Sequence, residues 1–305
     1  MRKKVLITVS LLLVALFTLV GCQPSEIPSS TKQSTRDIKN PPTKEATNKP
    51  TIAQTATFES VLTIGSTQIR FTDGMEQVYV PAGDFIMGSN AGDGDADDDE
   101  KPERTVYLDA YWIDKYEVTN GQYEACVATG GCTRPNESKS YFRSSYYGNS
   151  EYDNFPVIQV DWNQAVSYCE WVGGDLPTEA QWEKAARGPK GNKYPWGNEE
   201  PDSSYANYND NIGDTTEVGR YEKGASPYGA MDMAGNVMEW VSDWYDDYDA
   251  NDTNNPQGPS DTKYFRVLRG GGWSNGNWSI RTALRGLSNP SDRVYYAGFR
   301  CVSSP

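Results

Sequence analysis

Histidine is absent from all 305 residues. That gap removes the imidazole general base, the Ser-His-Asp arrangement, histidine-rich zinc sites and the two-His-one-carboxylate iron site. Positive charge is also short, with 28 Lys and Arg against 42 Asp and Glu, a formal net charge of −14. Such a chain repels phosphate backbones and anionic lipid heads, so nucleic acid is not an expected partner. Cysteine is scarce: Cys22, Cys126, Cys132, Cys169 and Cys301 make up the whole set.

What is present begins with a basic start, Arg2-Lys3-Lys4, and an apolar run from Val5 to Val20 ending in Leu19-Val20-Gly21-Cys22. This reads as a secretory signal over residues 1–21 with a bacterial lipoprotein cleavage box. Cys22 is then the lipidated first residue of an extracytoplasmic protein held to the cell membrane by its lipid alone. Residues 22–57 shift to Pro, Ser, Thr, Lys and Asn, a composition that cannot bury enough apolar surface to order itself, and read as a disordered tether. One large domain is expected over 58–305.

Outside the cytoplasm four remaining cysteines are expected to form disulfides, in one of three connectivities. Cys126 and Cys132 flank a glycine-ended turn, "VATGG", so a local bridge is the simplest choice, leaving Cys169 for Cys301.

Three short helices carry their own start signals. Thr119 with Gln122, Asp161 with Gln164 and Thr178 with Gln181 each form a capping box, and Gly173 and Gly188 supply stops to the second and third. In the second, Trp162, Ala165, Val166 and Cys169 fall on one face, which points Cys169 inward. "EQVYVPAGDFIMG" and "RTVYLDAYWIDKYEV" alternate as half-buried strands do. Polar loops fill most of the remainder.

The blocks "VYVPAGDFIMGS", "AYWIDKYEVTNGQY", "PVIQVDWNQAVSYCEWVGGDLPTEAQWEKAAR", "YPWGN", "YGAMDMAGNVMEWVSDWY", "RVLRGGGW" and "AGFRCV" together resemble the formylglycine-generating enzyme family, or sulfatase-modifying factors, over roughly residues 74–303. The resemblance implies an α+β domain with little regular structure, a variant of the C-type-lectin fold, and a disulfide joining Cys169 to Cys301. It also implies an oxidase that turns a sulfatase cysteine into formylglycine with oxygen and a copper ion held by two cysteines beyond an "RGGS" element.

The corresponding run here, "WSNGNWSIRTALR", has no cysteine, Gly272 stands for the serine, and Met238 stands where tryptophan is common. Soft thiolates select Cu(I), and Asn and Ser do not replace them, so copper is not expected. Nor is the chain a substrate of this chemistry, because "CTRPN" places Arg134 where the Cys-x-Pro-x-Arg motif needs proline.

Structural Ca²⁺ is expected instead, at two sets that the resemblance carries over. One comprises the Asp232 and Glu239 side chains with the Gly235 and Val237 carbonyls. The other comprises Asn207, the Tyr208 carbonyl, Asp214 and the Thr216 carbonyl. The acidic run Asp93–Glu100 is not an EF-hand, having Asp98 where glycine is required and Arg104 where glutamate is, and reads as a solvated loop.

The segment after Gly270–Gly272 concentrates Trp, Tyr, Arg and Asn, the composition of binding faces. In lectin-fold relatives it lines the ligand groove. Trp273, Arg281, Arg285 and Arg300 are assigned to scaffolding, and Asn275, Asn277, Trp278, Tyr295 and Tyr296 to ligand contact. The resulting reading is a lipid-anchored, non-catalytic binder of a peptide or glycan, with a formylglycine-generating oxidase as the alternative.

Overall fold

The computed structural model describes residues 61–305. The signal, Cys22 and the tether lie outside the described residues. Three strands open the described chain: β1 (Thr67–Ile69), β2 (Glu76–Val80) and β3 (Gly83–Met87). Then come β4 (Arg104–Leu108), β5 (Tyr111–Asp114) and three helices, α1 (Asn120–Thr129), α2 (Trp162–Trp171) and α3 (Glu179–Arg187). β6 (Met238–Trp244), β7 (Arg266–Arg269), β8 (Gly286–Ser288), β9 (Ala297–Phe299) and β10 (Val302–Ser303) complete it.

All three helices start where their side chains say they should. Thr119, Asp161 and Thr178 each accept a hydrogen bond from the backbone N–H of the glutamine three residues on, and that glutamine reaches back to the cap. α1 ends on left-handed Gly130 and α3 on Gly188. On α2, Ala165 and Cys169 are fully buried while Trp162 and Val166 pack against the core from its edge.

The strands form one sheet in the order β1-β2-β5-β10, a β3-β4 hairpin, and a second sheet in the order β8-β7-β6-β9. β6 is central, antiparallel to β7 and parallel to β9, so the chain's last segments close on a strand laid down sixty residues earlier in sequence order. Val78, Ile113 and Val302 share one register row. Four apolar clusters result, two of them large. One gathers Tyr123, Tyr168, Trp240 and Phe299 around the Cys169–Cys301 disulfide; the other packs Trp182 and Ala185 of α3 against Val78, Phe85, Ile113, Val241 and Val267. The second disulfide, Cys126–Cys132, closes the end of α1 as expected.

The acidic run needs one correction. Its aspartates lie at the surface, but its last member, Glu100, is fully buried and takes both guanidinium nitrogens of Arg281 at 2.8 and 2.7 Å. A charge run can end in a core ion pair when its partner comes from far along the chain, and composition does not show that. Among the described residues no helix is long and apolar enough to cross a membrane.

Candidate functional site

Gly270 and Gly271 have positive φ of 90° and 66°, and a Cβ on Gly271 would lie 2.6 Å from the Ser279 carbonyl oxygen. Those two glycines permit the tight return that brings the 273–285 segment against the domain, whereas the space around Gly272 is open enough for a Cβ. Trp273, Arg281, Arg285 and Arg300 are all buried, as scaffold residues must be.

The five contact candidates do not all stand alike. Asn277 and Trp278 open a short 3₁₀ turn, Asn277–Ile280, with Trp278 61% exposed. Asn275 is half-buried, and its Oδ1 accepts the Gly272 N–H at 2.8 Å, so its oxygen serves the turn and only its amide nitrogen is free to meet a ligand. Tyr295 and Tyr296 are half-buried, with ring centroids 5.4 Å apart.

Two rings that sequence reasoning missed complete the surface. Tyr141 lies 4.8 Å from Tyr295 and 4.6 Å from Phe142, and these two are 53% and 72% exposed. The available signal was an aromatic pair inside a polar loop, "SKSYFRSSYYGNS", which periodicity does not reveal. Beneath them Trp273 buries an indole N–H that has no partner among the described residues. A buried donor of this kind has a desolvation cost unless something polar reaches it.

The two calcium sets can be tested against the chemistry around them. Asp232, with a left-handed φ of 57°, accepts the Gly219 N–H on Oδ2. Among the described residues no hydrogen bond reaches its Oδ1 or the carbonyl oxygens of Gly235 and Val237. Glu239 is fully buried and bridged by Arg300 at 2.7 Å through both oxygens, with the Trp182 indole N–H donating to Oε2.

A third carboxylate, Glu117, went unread in the sequence. It is fully buried, accepts the Val237 N–H and the Asn236 amide, and faces Asp232 and Glu239. Burial first, and then those two carboxylates, push Glu117 well above the usual carboxylate range. Three buried acids therefore face one guanidinium, more carboxyl groups than that cation alone can answer. Hard oxygens and excess negative charge fit Ca²⁺.

The second set fits less completely. Asn207 is buried with an Oδ1 that has no partner, which suits a ligand oxygen. Asp214, however, is already engaged by the Ser140 hydroxyl, the Phe142 and Thr215 N–H groups and Arg143 at 3.2 Å. Arg143 supplies there the positive charge that an ion would bring. Among the described residues no group of three or more His, Cys, Asp or Glu side chains is arranged to hold a metal.

A lectin-type α+β core with a tight glycine return and an aromatic, sulfur-free face is the class these features define. Residues 66–305 match the sulfatase-modifying factor enzyme 1-like domain, and the chain belongs to that family. It is 39% identical over 242 residues to the serine/threonine-protein kinase pkn1 of Chlamydia caviae, covering 74% of this chain and 38% of that one. The chain thus spans under two fifths of the length of that relative. It is 33% identical over 286 residues to the formylglycine-generating enzyme of Thermomonospora curvata, covering 75% of this chain and 93% of the relative. Among solved structures, PvdO from Pseudomonas aeruginosa superposes with a TM-score of 0.68 at 28% identity, covering 80% of this chain and all of that one.

Proposed function

We propose that the domain is a non-catalytic recognition module, displayed outside the cytoplasm by a lipid on Cys22, that holds a peptide or glycan on the face formed by Trp278, Tyr295, Tyr296, Asn275 and Asn277. The observation that supports this most is the run of ring contacts from Phe142 through Tyr141 to Tyr295 and Tyr296, with Tyr141 and Phe142 exposed and Trp278 exposed on the sulfur-free 273–285 segment. Aromatic surface of that extent outside the core marks a contact site. Both described disulfides consume Cys126, Cys132, Cys169 and Cys301, so no described thiolate remains to grip a redox ion. Screening the purified protein on glycan and peptide arrays tests the reading: capture should be lost in the Trp278→Ala, Tyr296→Ala double variant while its fold stays intact by circular dichroism. Undiminished capture would overturn the assigned face.

The 33% identity to a formylglycine-generating enzyme favours one other reading, an oxidase. Incubation with copper, oxygen and a Cys-x-Pro-x-Arg peptide separates the two, since only an oxidase produces the aldehyde seen by mass.

In either case Asp232, Glu239, Glu117 and the Gly235 and Val237 carbonyls would hold a structural calcium ion, which supplies the positive charge Arg300 leaves wanting. Chelator should lower the melting temperature by about 5–10 °C relative to calcium at a hundredfold its Kd. An identical melt in both buffers would remove the ion from the account.

A further inference from the structure

A cavity of about 350 Å³ opens between the N-terminus of α3, the end of β6 and the loop that follows it, and it shares no lining residue with the aromatic face. Its walls include Asp243, Arg104, Tyr248, Glu179 and Arg285. Around it the charges are closed into pairs: Glu179 with Arg269 and Arg285, and Asp246 with Lys263. Asp243 and Arg104, on the cavity wall, stand outside those pairs.

Asp243 is only 4% exposed. Its Oδ2 accepts the Glu179 N–H at 2.8 Å and the Ser242 hydroxyl at 3.0 Å, but its Oδ1 has no hydrogen bond and it forms no ion pair among the described residues. Arg104 likewise has no ion pair among the described residues. Its guanidinium lies 3.8 Å over the Tyr248 ring and 3.4 Å from the Met87 sulfur, with Nε and Nη1 unpartnered. A buried carboxylate with one open oxygen and a guanidinium held only by a ring and a sulfur, on one cavity wall and in no ion pair, leave charge for an occupant to meet.

We propose that this cavity binds a small zwitterion, a basic α-amino acid, with its ammonium on Asp243 Oδ1 and its carboxylate turned to Arg104. A bare cation would satisfy only one of the two, and no three carboxylates here converge on a metal position. The volume lies at the small end of ligand sites, which suits a metabolite of amino-acid size and not an oligosaccharide. Asp247 and Asp252, which also line it and form no ion pair among the described residues, suit a second positive charge on the side chain.

Calorimetric titration of the purified full chain in detergent with L-lysine and L-arginine tests this. Saturable binding is expected, at least about tenfold tighter than for cadaverine or hexanoate, which carry only one kind of charge. Asp243→Asn and Arg104→Gln should each weaken it about tenfold or more. Arg104→Gln leaves the α3 terminus intact, so it keeps the test decisive if Asp243→Asn fails to fold. No saturable binding, cadaverine as tight as lysine, or unchanged affinity in the folded Arg104→Gln variant would overturn the proposal.

Discussion

Two buried charged regions lie within this one domain, and they are built on opposite principles. Around α3, Glu179 and Glu183 meet Arg269, Arg285 and Arg187, and Glu183 also accepts the Gly88 N–H, so acids and bases answer one another. Around β6, Glu117, Asp232 and Glu239 meet Arg300 alone. The first region is balanced in charge by the chain's own residues and acts as scaffold. The second sets three buried acids against one guanidinium, so its acids are not answered one for one.

Perturbing each region should expose the contrast. The largest effect is expected from Arg269→Met, which takes one of two guanidinium partners from each of two buried carboxylates and should cost about 3 kcal/mol in chemical denaturation, with calcium making no difference to that loss. In the second region Asp232→Asn should do the reverse. It retains an oxygen for the Gly219 N–H, suits the left-handed backbone and removes one surplus charge, so calcium-free stability should rise by up to about 1 kcal/mol while the calcium-dependent shift shrinks. A destabilised, calcium-insensitive Asp232→Asn protein would show that the two regions do not differ in kind.

A smaller effect belongs to Asp243, at the edge of the balanced region. Burial, and then Glu179, raise it to about 7, with Arg285 and the hydrogen bonds from Glu179 N and Ser242 opposing; Arg266 from β7 also faces it. Its unfolded counterpart titrates near about 3.9. The folded state thus keeps the proton to higher pH than the unfolded state. Stability from this group is fully present below about pH 4 and is lost as pH rises through about 7. Asp243→Asn should flatten that slope in denaturation curves taken across this range. The smallest effect is expected from Trp278→Ala, an exposed ring outside both regions, whose stability should stay within about 0.5 kcal/mol of the parent.

Much of the fold was legible because it rests on local signals. The three capping boxes act within four residues, and helix starts followed from them at Thr119, Asp161 and Thr178. The scaffold assignment of Trp273, Arg281, Arg285 and Arg300 was also legible, though only through the family resemblance. Less of the site could be read. Tyr141, with Phe142 packed on it, reaches Tyr295 across a long stretch of chain, and Glu117 meets Asp232 and Glu239 only after β5 and β6 are laid in place.

By itself the sequence determined which chemistry is available: no imidazole, no sulfur in the run from Trp273 to Arg285, and a strongly acidic balance, because residue identity fixes the donors a chain can offer. The tertiary structure alone decided which charges are answered and which are left over. Charge compensation depends on distance in a low-dielectric interior, and the partners, Glu100 with Arg281 or Glu117 with Arg300, come from opposite ends of the domain's sequence.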